Sequence, residues 1–240
     1  MLKIQKFSFT ALIVSAVVSG TVFADEKADA KFNDDVSYAL TAYSMTQAKL
    51  MAEQGEIKLT EAQVNKAVED VLKGKFTEEK IDELTQTLEQ FQQKIVAREQ
   101  AKMKEIAQKA QDEGDKYRAE FAKKEGVKTT KSGLLYRVVE AGKGEVIKPT
   151  DTVKVHYTGK LPDGKVFDSS VARGQPAEFR LDQVVKGWTE GLQLVKKGGK
   201  IELVLPPDLA YGKQGAGASI PPNSTLYFEV EVLDVNPKDK

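Results

Sequence analysis

All eight prolines of this 240-residue chain lie beyond residue 140. Proline lacks the backbone N–H and its ring clashes with the preceding turn of a helix, so its absence leaves the first half free to be helical throughout. Most of the glycines follow the prolines. The chain is therefore expected to hold two differently built parts, an all-helical first half and a turn-rich second half.

The first half repeats at helical spacing. Val36, Leu40 and Tyr43 step by four and three. Thr60-Glu61-Ala62-Gln63 has the layout of a capping box, opening a helix with Val64, Ala67, Val68, Val71 and Leu72 on one face and Gly74 as its stop. Thr77-Glu78-Glu79 opens another, in which Ile81, Leu84, Leu88, Phe91 and Ile95 form an apolar seam that calls for a partner helix. Beyond Val96 the seam thins to Met103, Ile106, Ala110, Tyr117 and Phe121 among many charges. The pattern predicts one long, mostly solvated helix ending near Lys124, with Gly114 as a soft point. At about 45 residues it would run near 68 Å and act as a stalk between the halves. The remaining helices are too small to bury much core alone, so dimerisation through this half is the expected remedy. The alternative is a monomeric helical cap folded back on the second half.

From Thr129 the period becomes two. GLLYRVVEAG, DTVKVHYTGKL, EFRL, KIELVLP and STLYFEVEVLDV are five strand candidates, divided by turn signals at Ser132-Gly133, Gly142-Lys143-Gly144, Pro162-Asp163-Gly164 and Pro206-Pro207. With one apolar helical stretch, around Val184 to Val195, they predict an antiparallel sheet wrapped on a short helix, and an α+β chain overall. Alternation sets Val153, Val155 and Tyr157 against Lys154 and His156, which makes His156 an exposed strand residue, not a general base. Lys196-Lys197-Gly198-Gly199-Lys200 lacks phosphate-loop spacing and leads into a strand, so it reads as a tight turn.

Composition removes several chemistries. The chain has no cysteine and one histidine, so thiol catalysis, disulfides, Cys-ligated metals and multi-histidine metal sites are excluded, and neither metal nor cofactor is expected. Thirty-six basic side chains balance 36 acidic ones, which gives no general pull toward nucleic acid or anionic lipid. Residues 1–24 have the form of a cleavable export signal: Lys3 and Lys6, an apolar run from Phe7 to Val18, then Val22-Phe23-Ala24. About 12 apolar residues fall short of the roughly 20 that span a bilayer. Export as a soluble, unanchored protein is expected.

The blocks VHYTGKLPDGKVFDSS, VVKGWTEGL, KGGKIELVLPPDLAYG and IPPNSTLYFEVEVLDV, in this order and spacing, resemble the FKBP-type peptidyl-prolyl cis-trans isomerases over about residues 129 to 236. The helical half followed by FAKKEGVKTTKSGL resembles the periplasmic branch of that family that includes FkpA and the macrophage infectivity potentiators, V-shaped dimers with interlocked N-terminal helices. The implied organisation is a signal peptide at 1–24, a helical dimerisation domain at 25–95, a connecting helix at 96–126 and an isomerase domain at 127–240. The resemblance implies one proline-binding pocket in which Tyr157, Asp168, Tyr211 and Phe228 are catalytic. Phe167, Arg173, Phe179, Val184, Val185, Trp188 and Ile220 would hold the substrate. Trp188 would be its floor, the Ile220 N–H and Tyr211 hydroxyl would donate to substrate carbonyls, and Asp168 would sit with Tyr157 and Arg173 at the edge.

Taken singly, Phe167, Phe179 and Phe228 read equally well as sheet core, and Asp168 as a turn residue before Ser169-Ser170. Ala177, Gln183 and Ala216 stand where well-known small members often carry an aromatic, an acidic residue and a histidine, which bears on substrate preference and macrolide affinity. The implied partners are proline-containing unfolded chains and macrolide FKBP inhibitors. The alternative function is a holdase chaperone or proline-segment binder whose isomerase activity is incidental.

Overall fold

The computed structural model describes the backbone of residues 26–237 and the side chains of residues 30–237. The expected export signal lies outside these residues. The chain divides into two compact units, one ending at Glu99 and the other beginning at Gln100.

The first unit consists of α1 (Glu26–Gln54), α2 (Glu61–Leu72) and the start of α3 (Glu78–Phe121). Thr60 caps α2 as its sequence predicts: its hydroxyl oxygen accepts from the Gln63 N–H at 3.4 Å and its proton goes to Gln63 Oε1 at 2.8 Å. The other end closes in a Schellman turn, with Gly74 at φ +67° and the Lys75 N–H donating to Asp70 O at 3.0 Å. The end of α1 is tied to α3 by Arg98, which donates to Gln54 O at 2.5 Å and pairs with Glu56 at 3.1 Å. Gly55 leaves room there for the Phe91 ring, which any Cβ would overlap.

Burial in this unit is slight. Among the described residues before Gln100, only Ala52 is buried, while Phe32 is 67% and Tyr43 68% exposed, and Leu40, Ile81 and Leu88 are also open. The seam written into α1 and α3 is therefore covered within this unit only around Phe91 and Ile95, which are half-buried.

The second unit is an antiparallel sheet of seven strands: β1 (Val127–Thr129), β2 (Leu135–Glu140), β3 (Thr152–Lys160), β4 (Val166–Ser169), β5 (Ala177–Arg180), β6 (Lys200–Leu205) and β7 (Leu226–Val235). They run β1-β2-β6-β7-β3-β4, with β5 also on β3. Two of the seven, β1 and β4, were not among the five strand candidates. Each has three or four residues, too few to display an alternation, and β4 runs into Ser169-Ser170, which has turn chemistry.

Period-two alternation assigns the faces. On one face Leu203 and Leu205 of β6, Leu226, Phe228, Val230 and Val232 of β7, and Val153, Val155 and Tyr157 of β3 build the main core. The six-residue helix α4 (Lys186–Gly191) packs into it. Gly187 and Gly191 let α4 come down on β6, because a Cβ at either would overlap the Leu205 or Leu203 side chain.

The opposite face is covered by the last turns of α3. Phe121, Tyr117, Leu135, Val204 and Tyr227 form a second cluster, one residue out of phase with the first along each strand. Phe121 is 1% exposed, and its ring lies 6.0 Å from that of Tyr227, edge-on at 64°. Gly114 is a point of close approach, not a soft point: it is buried, and a Cβ there would overlap the Thr225 side chain. The helix also stops at Phe121, three residues short of the expected Lys124.

Candidate active site

The face of the sheet that α4 covers carries an aromatic cluster drawn from five elements. Trp188 lies on α4, 4% exposed, pressed inward by the close α4–β6 approach that Gly187 and Gly191 allow. Three rings meet it edge-on: Tyr157 of β3 at 5.2 Å and 87°, Phe179 of β5 at 5.5 Å and 88°, and Phe228 of β7 at 5.3 Å and 80°. Phe167 of β4 stands edge-on to Phe228 at 5.5 Å. Such T-shaped pairs set a positive ring edge against a negative face and hold ring orientations that area burial alone does not specify. Gly159 makes room for Phe167 and Phe228 together, since a Cβ would collide with both rings. The indole Nε1–H of Trp188 is the one buried side-chain polar atom among the described residues with no hydrogen-bond partner.

The polar rim lies on β3, β4 and the turn after β4. Asp168 accepts hydrogen bonds from the Tyr157 hydroxyl and the Arg173 guanidinium. Arg173 also donates to the Tyr157 oxygen at 3.1 Å and lies 5.8 Å from the centre of that ring. Partial burial pushes the Asp168 carboxyl up, but the hydrogen bonds from Tyr157 and Arg173 outweigh it and hold the group below the usual carboxylate range. Burial, with the Asp168 carboxylate alongside, pushes the Tyr157 phenol up. At neutral pH the rim is thus a carboxylate held by one neutral and one cationic donor.

The remaining site candidates are placed as follows. Val184 and Val185 are half-buried against the core just ahead of α4, and Val185 is that helix's N-cap. Tyr211 is 43% exposed, and its hydroxyl has no partner among the described residues. Ile220 is buried, but its backbone N–H is not free: it donates to Ala216 O at 3.1 Å, while the Ala216 N–H donates back to Ile220 O at 2.9 Å. That mutual pair corrects the expected role of the Ile220 N–H as a donor to substrate. Gly215, at φ +64°, is what lets the loop close so tightly, for a Cβ there would strike Ile220 O. The Val185 N–H has no acceptor among the described residues. Ala177 and Ala216 are half-buried against the core.

Two placements differ further from expectation. His156 does alternate away from Tyr157, yet it is only half-exposed, with Nδ1 3.2 Å from Ser170 Oγ. Ser170, taken above only as part of a turn, is fully buried beneath the rim.

Residues 143–233 match the family model described as FKBP-type peptidyl-prolyl cis-trans isomerase, and residues 33–138 match the domain amino terminal to FKBP-type peptidyl-prolyl isomerase. The whole chain is 59% identical to the full length of a probable FKBP-type peptidyl-prolyl cis-trans isomerase from Haemophilus influenzae. The chain belongs to the FKBP-type peptidyl-prolyl cis-trans isomerases. It is also 50% identical to FkpA of Escherichia coli strain K12 over 90% of this chain and 81% of that one. The crystal structure of FkpA from Escherichia coli superposes with a TM-score of 0.63 at 47% identity, covering 90% of this chain and 98% of that one. An isomerase structure from Pseudomonas syringae covers 55% of this chain and 96% of its own at 40% identity and a TM-score of 0.50.

FKBP-type isomerisation makes no demand for a nucleophile. Rotation about an X-Pro bond breaks amide resonance, a barrier of about 18–20 kcal/mol, and no covalent bond to the enzyme is needed. The twisted amide has lost charge separation, so a dry, apolar cavity favours it over the planar ground state that water solvates better.

Proposed function

We propose that this isomerase turns over X-Pro bonds in the aromatic cavity, with the proline ring on Trp188 and the Asp168–Tyr157–Arg173 cluster at the rim. One observation carries this reading: a buried tryptophan ringed edge-on by Tyr157, Phe179 and Phe228 lies beside a partly exposed, fully hydrogen-bonded carboxylate. Phe167, Phe179, Phe228, Val184 and Val185 supply apolar wall. Tyr211 donates its unpartnered hydroxyl to a substrate carbonyl, and the unengaged Val185 N–H takes the donor role first given to Ile220. Ile220 contributes its side chain, on a loop stiffened by Pro221-Pro222. Macrolide FKBP inhibitors occupy the same cavity.

Asp168→Ala tests the site. It leaves the Tyr157 hydroxyl and the Arg173 guanidinium without their shared acceptor, and the catalysed rate of a proline-limited refolding reaction is expected to fall about tenfold or more. Suppression of aggregation by the same variant is expected to persist. An unchanged refolding rate would remove the cluster from the site, and loss of both activities in a folded variant would mean that they are not separable.

The biological setting we infer is the periplasm, where residues 1–24 direct export, the isomerase domain of residues 127–240 assists folding of proline-containing clients, and residues 25–95 dimerise the chain. No helix among the described residues is long and apolar enough to cross a membrane. Support for dimerisation comes from the open faces of α1 and α3, where Phe32, Leu40, Tyr43, Ile81 and Leu88 leave apolar surface in water. Two pockets in one dimer raise affinity for a client with several prolines without any new contact, which supports a chaperone role. Sedimentation of a chain starting at Asp25 is expected to give a dimer, and of a chain starting at Lys102 a monomer. The shorter chain keeps Tyr117 and Phe121, which a start at Lys128 would strip from the sheet. Equal monomeric masses would end the dimer reading.

A further inference from the structure

The N–H and hydroxyl of Ser170 are both directed at two consecutive residues of β3, while its carbonyl accepts from the Gln175 N–H at 3.3 Å. Its N–H donates to Tyr157 O at 3.0 Å, and its Oγ accepts from the Tyr157 N–H at 2.8 Å. The same oxygen lies 3.2 Å from His156 Nδ1 and 3.4 Å from Tyr157 O. It follows directly on β4, whose ladder with β3 last pairs Thr158 with Ser169. A side-chain oxygen therefore continues the ladder where the strand ends. Asp168 lies two residues before it, and the Tyr157 hydroxyl donates to Asp168. One buried hydroxyl thus fixes the backbone that carries both the tyrosine and the carboxylate of the rim.

We propose that Ser170 is a positioning residue for the Tyr157–Asp168 pair. The inference rests on the site reading above. Its basis is that Ser170 holds both polar atoms of the Tyr157 peptide: its Oγ accepts from the Tyr157 N–H, and its N–H donates to Tyr157 O, an oxygen that Ser169 Oγ also reaches at 3.4 Å. Removing the hydroxyl leaves the Tyr157 N–H without that acceptor, and the strand that carries the Tyr157 ring is then free to shift against Asp168.

A protease-free peptide isomerisation assay on the full chain tests this. Ser170→Ala is expected to lower kcat about fivefold near pH 7.5 with KM almost unchanged, because the pocket remains while the rim shifts. Ser170→Ala within twofold of wild type, or a loss confined to KM with kcat unchanged, would overturn the proposal. Should Ser170→Ala not fold, Ser170→Cys, close in size and a weaker acceptor, takes its place under the same criterion. Asp168→Ala in the same assay separates the two readings: if it too is inert the site is misplaced, and if only it is impaired then the positioning role alone falls.

Discussion

Phe121→Ala is expected to destabilise the second unit by about 3–5 kcal/mol, the usual cost of emptying a large aromatic site. The side chain is 1% exposed and is shared between the last turn of α3 and the outward residues Leu135, Val204 and Tyr227. The cluster sits on the face of the sheet opposite the cavity, so thermal unfolding of the second unit should come at a lower temperature while isomerase kinetics below that temperature stay close to wild type. Tyr117 and Tyr227 can only partly fill the gap, because the Tyr227 hydroxyl is engaged with Glu202 and Glu229 at 3.0 Å each. Differential scanning calorimetry beside a peptide assay reads both quantities. A variant as stable as wild type would mean that α3 ends without supporting the sheet.

Trp188→Leu should do the reverse in proportion: a moderate loss of stability and a large loss of function. Leucine fills part of the volume, and the change removes a buried N–H that has no partner, which offsets some of the cavity cost. What leucine cannot supply is a flat floor. Tyr157, Phe179 and Phe228 all stand nearly perpendicular to the indole and in contact with it, so without it three walls lose their common reference. We expect kcat/KM to fall about 10- to 100-fold, equivalent to roughly 1.4–2.8 kcal/mol of transition-state stabilisation, and macrolide affinity to fall with it. Unchanged kinetics and unchanged macrolide binding in a destabilised variant would make Trp188 a core residue and nothing more.

The proline distribution and the two periodicities were enough to separate helices from sheet and to place α2, the long α3 and most strands, because each signal is local. Thr60 and Gly74 announce their turns by chemistry that the chain carries out within five residues. Contacts made across the fold were not legible. Gly114 looked like a weak point because glycine is a poor helix former, and only the approach of Thr225 explains it. The Ile220 N–H looked available because its acceptor, Ala216 O, is reached through a loop conformation that Gly215 permits and no pattern announces. Ser170 was hidden in the same way: Ser-Ser after an aspartate is common turn chemistry, and its burial under Tyr157 depends on the β3–β4 register. The aromatic cluster itself was legible only through the family resemblance, since five aromatic residues from five elements have no spacing in common.

The mutual hydrogen bonds between Ala216 and Ile220 bear on selectivity. A loop that must fold around its ligand gives up conformational entropy each time and can prefer ligands that repay it. This loop is closed on itself before any client arrives, so little ordering is left for a client to drive. Preference among sequences then has to come from the side chain ahead of the proline and the fixed walls it meets, a narrow basis for discrimination.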